Sequence, residues 1–409
     1  MKPDARCTPT AVFPTIRDAD ATNINTNTTA HIRALAARVS AATLRDDVAA
    51  LTGFRTRYYR SRTGREAAVW LRRRLLLAAG LADGGSGGDG SVTVELFEHG
   101  WLQPSVIARV AGRTNVTVIL AAHIDSVNFF LPSLLRAPGA NDDAAGIAAL
   151  ISAFALLTRP PLPPPLQNTL EFHFYAAEEA GFRGSAAVLA EYNAARRNVH
   201  SHLQFDAIGI PDAIPAVAVA AEYLPVRTAR GYGEYITALA GRYLDVPVVN
   251  TACGYACSDH ASALRFGYAG ALVTGRRLDG GGGGEDLSHT GGDVPALLDF
   301  EHVARFARLA VAYGYEMGHA DLSSGMPAGN GEGGRGYVCD AGYPDGWMGG
   351  VRRFAAARAT DPLGFALWIA VLIVLILLAR PWEEVMPVVK LFVGRARRGV
   401  MGRMRRMNR

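Results

Sequence analysis

Residues 116–126, VTVILAAHIDS, and residues 169–179, TLEFHFYAAEE, follow one plan: an apolar run that ends in an imidazole or in acids. Val116–Ala122 reads as a strand leading into His123 and Asp125, and Leu170, Phe172 and Phe174 alternate ahead of Glu178 and Glu179. Between them lies Ala144–Leu157, an apolar segment of helical length that opens behind Asn141, Asp142 and Asp143. Strand, helix, strand in this order predicts an α/β domain with a central, mostly parallel sheet flanked by helices. The chemistry of such a sheet lies beyond the carboxyl ends of its strands, where these polar residues fall.

Further strands are expected at Leu203–Phe205, just before Asp206, at Gly270–Thr274 and at Ser91–Phe97. Arg55–Gly80 carries an apolar stripe between arginines and predicts a helix; Asn23–Thr29 predicts an irregular polar tract. Hydrophobic residues make up 49% and charged residues 19% of the 409, which excludes a largely disordered chain. Net charge is +5, but the stretch from Arg380 onward holds +7, leaving −2 on residues 1–379. The basic surplus is therefore a tail property, and the body is not expected to bind nucleic acid.

Residues 321–350 hold ten glycines and predict a flexible stalk. Leu363–Ala379 then runs 17 residues without a charge, about 26 Å as a helix, enough for a thin bilayer. The organisation expected is an N-terminal extension (1–45), a catalytic body (46–320), the stalk (321–362), one transmembrane helix (363–379) and a basic tail (380–409). Positive charge directly after the span places the tail in the cytosol and the body outside it. The sequons at Asn27 and Asn115, and two cysteines close enough to pair, agree with a secretory location. The first 45 residues show no secretory signal, which favours the opposite topology.

His123 with Asp125, Asn141-Asp142-Asp143, Glu178-Glu179, Asp206 and His289 stand out as polar sites. Each admits a plain role: a core histidine, a helix cap, a solvated turn. Together they do not, because adjacent carboxylates at the ends of buried strands repel one another and are costly to desolvate. A dication removes both problems. Two histidines and three carboxylates suit zinc, and one shared carboxylate would divide the set between two ions.

Four stretches make the resemblance specific: His123-Ile-Asp125-Ser126, Ala137-Pro-Gly-Ala-Asn-Asp142-Asp143-Ala-Ala-Gly146, Ala177-Glu178-Glu179-Ala-Gly-Phe-Arg-Gly-Ser185 and Cys253-Gly-Tyr255-Ala-Cys257-Ser-Asp-His260. With Arg57-Tyr58-Tyr59 upstream and Ser288-His289-Thr290 before Asp293, the chain over residues 46–315 resembles the leucyl-aminopeptidase-type di-zinc exopeptidases, metallopeptidase family 28. The resemblance implies the zinc-exopeptidase fold and hydrolysis of peptides at a free N-terminus with two zinc ions. His123, Glu179, Asp206 and His289 would each serve one or the other zinc, and Asp142 would bridge them. Glu178 would be the general base, Asp125 would orient His123, and Asp143 would follow a cis peptide bond.

Tyr255 would reach the substrate carbonyl from a loop closed by a Cys253–Cys257 disulfide. A metal site of Cys253, Cys257 and His260, or reduced cysteines, are the alternatives there. Asn141 and Ala145 depart from the acid and serine common in the family, at positions that are not ligands. A pocket for the released side chain is expected near Tyr255 and Phe266–Tyr268, with Asp279–Glu285 as a rim. A one-zinc glutaminyl cyclase and a non-catalytic membrane receptor on the same fold are the rival functions.

Overall fold

The computed structural model of the chain describes residues 13, 26–82, 91–159, 165–223, 226–227, 231–279 and 287–322. The expected stalk beyond residue 322, the span 363–379 and the basic tail lie outside the described residues. Three helices come first: α1 (Thr26–Ala36), α2 (Ala41–Thr52) and α3 (Arg62–Ala79). Then follow β1 (Val92–Phe97), β2 (Ser105–Val110), β3 (Thr117–His123), α4 (Ala145–Thr158), β4 (Thr169–Tyr175), α5 (Arg183–Ala194) and β5 (Val199–Phe205). The remainder comprises β6 (Val217–Ala220), a short pair β7 (Glu222–Tyr223) and β8 (Val226–Arg227), α6 (Tyr232–Tyr243), β9 (Val248–Asn250), α7 (His260–Arg265), β10 (Ala269–Thr274) and α8 (Phe300–His319).

Eight strands form one sheet in the order β1-β2-β4-β3-β5-β10-β6-β9. Its centre, β4-β3-β5-β10, is parallel; β2 and β6 run antiparallel at either side of that block. Both faces of β3 are buried, and its side chains divide by the period of two. Val118, Leu120 and Ala122 join the large core with α4 and α8, whereas Ile119 and Ala121 pack with Val188, Leu189 and Tyr192 of α5. The expected mixed, mostly parallel sheet between helical layers is what forms.

Together with the helical turn before it, α4 forms a stretch, Ala140–Thr158, long and apolar enough to cross a membrane, yet 89% of it is buried inside the protein. It is the crossover helix, packed on α2, α3 and α8. Gly146 in its first turn is dictated by close approach: a Cβ there would collide with the Asp143 carboxylate and the Phe205 carbonyl. The helix therefore starts hard against the end of β5, which holds the preceding aspartates over the strand ends.

Two expectations are corrected. The tract Asn23–Thr29 is not irregular throughout, because α1 begins at Thr26. The helix expected from Arg55 starts only at Arg62, where Ser61 caps it by accepting from the Gly64 amide at 2.9 Å. Residues 55–59 are non-helical instead, with Thr56 bridged to Ala137. Ile32 and Leu35 of α1 and Leu44 of α2 are also buried in the main core, and residue 45 falls within α2.

Candidate active site

Parallel strands β4, β3 and β5 end side by side, and the backbone turns sharply at each end. Ala177 (φ 56°), just before Glu178, and Ala207 (φ 53°), just after Asp206, are left-handed, as are His289 itself (φ 60°) and Gly139 (φ 57°). Such conformations cost on the order of 1–3 kcal/mol in non-glycine residues and gather where function requires them. Here they fold the acids back over the strand ends. The Asp142–Asp143 peptide bond is cis, as the resemblance implied.

Asp142 stands between the two histidines. Its Oδ1 is 3.0 Å from His123 Nε2 and its Oδ2 is 3.1 Å from His289 Nε2. Asp206 Oδ1 lies 3.7 Å from His123 Nε2, and Glu179 Oε2 lies 2.9 Å from His289 Nε2. Two clusters result, each with ligand atoms within 4.8 Å: His123, Asp143 and Asp206, and Asp142, Glu179 and His289. All five expected ligands are thus brought together, and Glu178 sits beside them in the chain.

The surrounding residues hold this set by its backbone. Asp125 accepts from the amides of Glu178 (2.9 Å) and Glu179 (3.2 Å), while its own carbonyl faces His123 Nδ1 at 3.1 Å and its carboxylate at 3.5 Å. It therefore contacts the His123 ring and also fixes the acid pair. Asp143 accepts from the His123 amide (3.2 Å) and the Gly146 amide (3.1 Å). Asp206 Oδ2 accepts from the Ser258 hydroxyl at 2.6 Å. Asn141 accepts from the amides of Gly209 (2.7 Å) and Ile210 (3.2 Å), so the departure from an acid serves a loop rather than a metal.

Asp293 accepts from the amides of Asn141 (2.9 Å) and Asp142 (3.1 Å). Replacing it by asparagine puts a donor where one of those amides needs an acceptor. Zinc affinity, measured by competition with a chelating indicator, is expected to fall about 10–100-fold, the usual cost of losing an outer-shell partner. Unchanged affinity would remove Asp293 from the site.

Electrostatics point the same way. Burial pushes Glu178 well above the carboxylate range, Glu179 to about 7 and Asp293 to about 6. Burial also works against charge on His123 and His289, yet Asp206, Asp125 and Asp142 around the first, and Glu179 and Asp142 around the second, raise both well above the ordinary imidazole range. Asp142 is also pushed up by burial, but the two imidazoles outweigh this and hold it far below the usual range. The site is short of positive charge. His123 Nε2 is buried with no well-directed hydrogen bond among the described residues. Imidazole nitrogen and carboxylate oxygen around such an atom are a zinc donor set, and these residues fit the metal.

Cys253 and Cys257 are joined in a disulfide, so neither a metal site with His260 nor reduced cysteines holds there. Tyr255, at the tip of that loop, is 38% exposed. The pocket expected near Phe266–Tyr268 is misplaced. These residues precede β10, whose Ala269 pairs with Ser201, about 16 Å along the strand from Asp206. Residues 280–285 of the expected rim lie outside the described residues.

Arg57, Ser258 and Phe129 are functional supports that reading the sequence did not find. The buried Arg57 guanidinium donates to the carbonyls of Ile124 (2.7 Å), Pro138 (2.5 Å) and Gly139 (3.0 Å), pinning both segments that lead into the ligands. Phe129 stacks on His289 at 4.1 Å and donates its amide to the His289 carbonyl at 3.2 Å. The Arg57 and Ser258 positions carried a signal, as parts of the Arg-Tyr-Tyr and Cys253–His260 stretches of the resemblance, and Phe129 carried none.

Residues 105–314 match the family described as Peptidase family M28. The chain is 39% identical over 287 residues to "Leucine aminopeptidase 1" of Coccidioides posadasii, covering 68% of this chain and 71% of that protein. It is 40% identical over 296 residues to the protein of the same name from Grosmannia clavigera, covering 70% of each. Among solved structures, the LapA aminopeptidase of Legionella pneumophila superposes with a TM-score of 0.64 at 26% identity, covering 75% of this chain and 78% of that one. A glutaminyl cyclase of Porphyromonas gingivalis shares the fold, with a TM-score of 0.51 at 18% identity over 68% of this chain and 99% of that one.

Proposed function

Because the chain belongs to peptidase family M28, whose metal-dependent aminopeptidase chemistry it shares with its leucine aminopeptidase relatives, we propose that it removes one apolar N-terminal residue from peptides, with two zinc ions and Glu178 as general base. The observation that carries the two-metal reading is Asp142, whose separate oxygens face His123 and His289. His123 and Asp206 would hold one zinc, Glu179 and His289 the other, and Asp142 both. When bound, the two ions supply Lewis acidity, lowering the pKa of water and polarising the scissile carbonyl.

The chain's own residues do the rest. Glu178, raised in proton affinity by burial, accepts a proton from the attacking water and delivers it to the leaving amine. Tyr255 donates its hydroxyl to the oxygen on which negative charge develops. Asp125 keeps Glu178 in register through the amide bond at 2.9 Å. The free α-amine of the substrate would be held at the metal site itself, which limits cleavage to one residue at a time.

The test uses the full chain, extracted from membranes with detergent because residues 363–379 are proposed to anchor it. Two zincs per chain, with hydrolysis of leucyl- and phenylalanyl-anilides and none of their N-acetyl forms, is the expected result. Recovery of the chain from the soluble fraction overturns the anchor. One zinc with cyclisation of N-terminal glutamine overturns the peptidase, and absence of metal overturns the catalytic reading altogether.

A further inference from the structure

Nine large apolar side chains are exposed among the described residues, and seven of them lie on loops at the catalytic end of the sheet. Besides Tyr255 they are Phe130, Leu134 and Leu135 on the loop after β3, Ile214 after β5, Leu278 after β10 and Leu297 before α8. These loops are tied to one another. Asn141 holds the amides of Gly209 and Ile210, the Asp212 carboxylate accepts from the Arg277 amide at 3.0 Å, and the Leu278 amide donates to Thr251 at 2.7 Å. On the other side, Phe129 joins the loop after β3 to His289 by its ring and its amide.

The loop after β3 is built to present its apolar residues outward. Arg55 donates through Nε to the Leu134 carbonyl at 3.1 Å, and Asn128 donates to the Arg136 carbonyl at 3.1 Å. The amides of Leu134 and Leu135 both bond the Leu131 carbonyl, at 3.0 and 2.9 Å. Leu134 nevertheless stays 59% exposed. A fixed backbone that holds leucines in water is unfavourable unless something covers them, and clustered exposed apolar groups mark binding surfaces. Because Phe130, Leu134 and Leu135 stand on the loop whose Phe129 stacks on His289, the occupant this rim fits is chain that already lies in the site.

We infer that this rim binds the substrate peptide beyond its scissile bond and selects peptides that are apolar at their second to fourth residues. The inference rests on the peptidase reading above and adds a second specificity, separate from that for the residue released. Two pentapeptides, both beginning with leucine, test it: one with leucine and phenylalanine at positions two to four, the other with serine and aspartate. The wild type is expected to favour the apolar peptide roughly tenfold in kcat/KM, through KM, on the scale of one leucine side chain covered. Leu134→Ser combined with Leu135→Ser should abolish that preference while leaving hydrolysis of leucyl-anilide within about twofold, since neither side chain is in the core.

Equal preference in wild type and variant, with anilide hydrolysis intact, overturns the inference and leaves the peptidase standing. Binding of a fluorescent apolar pentapeptide with a reduced first peptide bond gives a readout independent of turnover. If that binding depends on Leu134 and Leu135 while no substrate is hydrolysed, the rim stands and the peptidase reading falls. If the variant instead loses binding to phosphatidylcholine–phosphatidylserine vesicles, or changes oligomeric state, with peptide binding unaltered, the rim faces a membrane or a second copy and the inference is wrong.

Discussion

Glu178→Gln is expected to lower kcat by roughly 10²–10⁴-fold, the usual contribution of a general acid–base group, while two zincs per chain remain bound. Glutamine preserves the shape of the side chain and the amide bond to Asp125 but cannot accept a proton. Glu178 belongs to neither candidate metal cluster, so metal content should be unaffected. Single-turnover rates on leucyl-anilide, with zinc measured on the same sample, separate the two effects. A parallel loss of rate and metal would make Glu178 a ligand, and an unchanged rate would move the proton-transfer role elsewhere.

The second large effect is on stability. Arg57→Met should destabilise the fold by about 3–5 kcal/mol, the range for removing one partner from a buried charged network. Four carbonyls accept from this guanidinium, those of Ile124, Pro138, Gly139 and Leu51. They would be left buried without donors. The acids around the site also lose a compensating charge: burial lowers the proton affinity of Arg57, but Asp293, Asp143, Asp125 and Asp142 all favour its charged form. Urea unfolding of the zinc-loaded protein checks the value. A loss below about 1 kcal/mol would mean that water replaces the guanidinium.

What was legible follows from chemistry that leaves a mark on neighbouring residues. Strands β3 and β4 were readable because they alternate or run apolar until the functional residue. Only the last three residues of β5 were readable, because His200, Ser201 and His202 before them are polar yet buried. His202 belongs to a polar layer beneath α5, in which Glu171 and His173 are 2.9 Å apart, His173 meets the Tyr175 hydroxyl at 2.9 Å, and that hydroxyl meets His202 at 3.2 Å, whereas Ser201 faces the other side and its hydroxyl meets that of Tyr313 at 2.8 Å. Polarity in sequence normally signals exposure, so such a strand is hidden.

At the site, the five proposed ligands and Glu178 were legible through motifs, and so was Asp125. The roles of the other supports were not. Asp293 and Ser258 stand within or beside the motifs, but no motif says that an aspartate accepts from two backbone amides or that a serine donates to Asp206. The misplaced pocket has another cause: the resemblance, not any residue pattern, put Phe266 and Tyr268 at its wall, but α7 and its turn carry them to the amino end of β10.

The proposed ligands come from five places between His123 and His289, and only tertiary contacts bring those segments together. The site therefore does not exist until the crossover helix, the central strands and the loop before α8 have all docked. Partly folded chains would bind zinc far more weakly, so metal uptake reports completed folding rather than assisting its early steps. Once loaded, the metal draws the equilibrium toward the finished structure by mass action, about 2.7 kcal/mol when free zinc is a hundredfold above its dissociation constant. Zinc supply would then set how long the catalytic body survives as well as how fast it works.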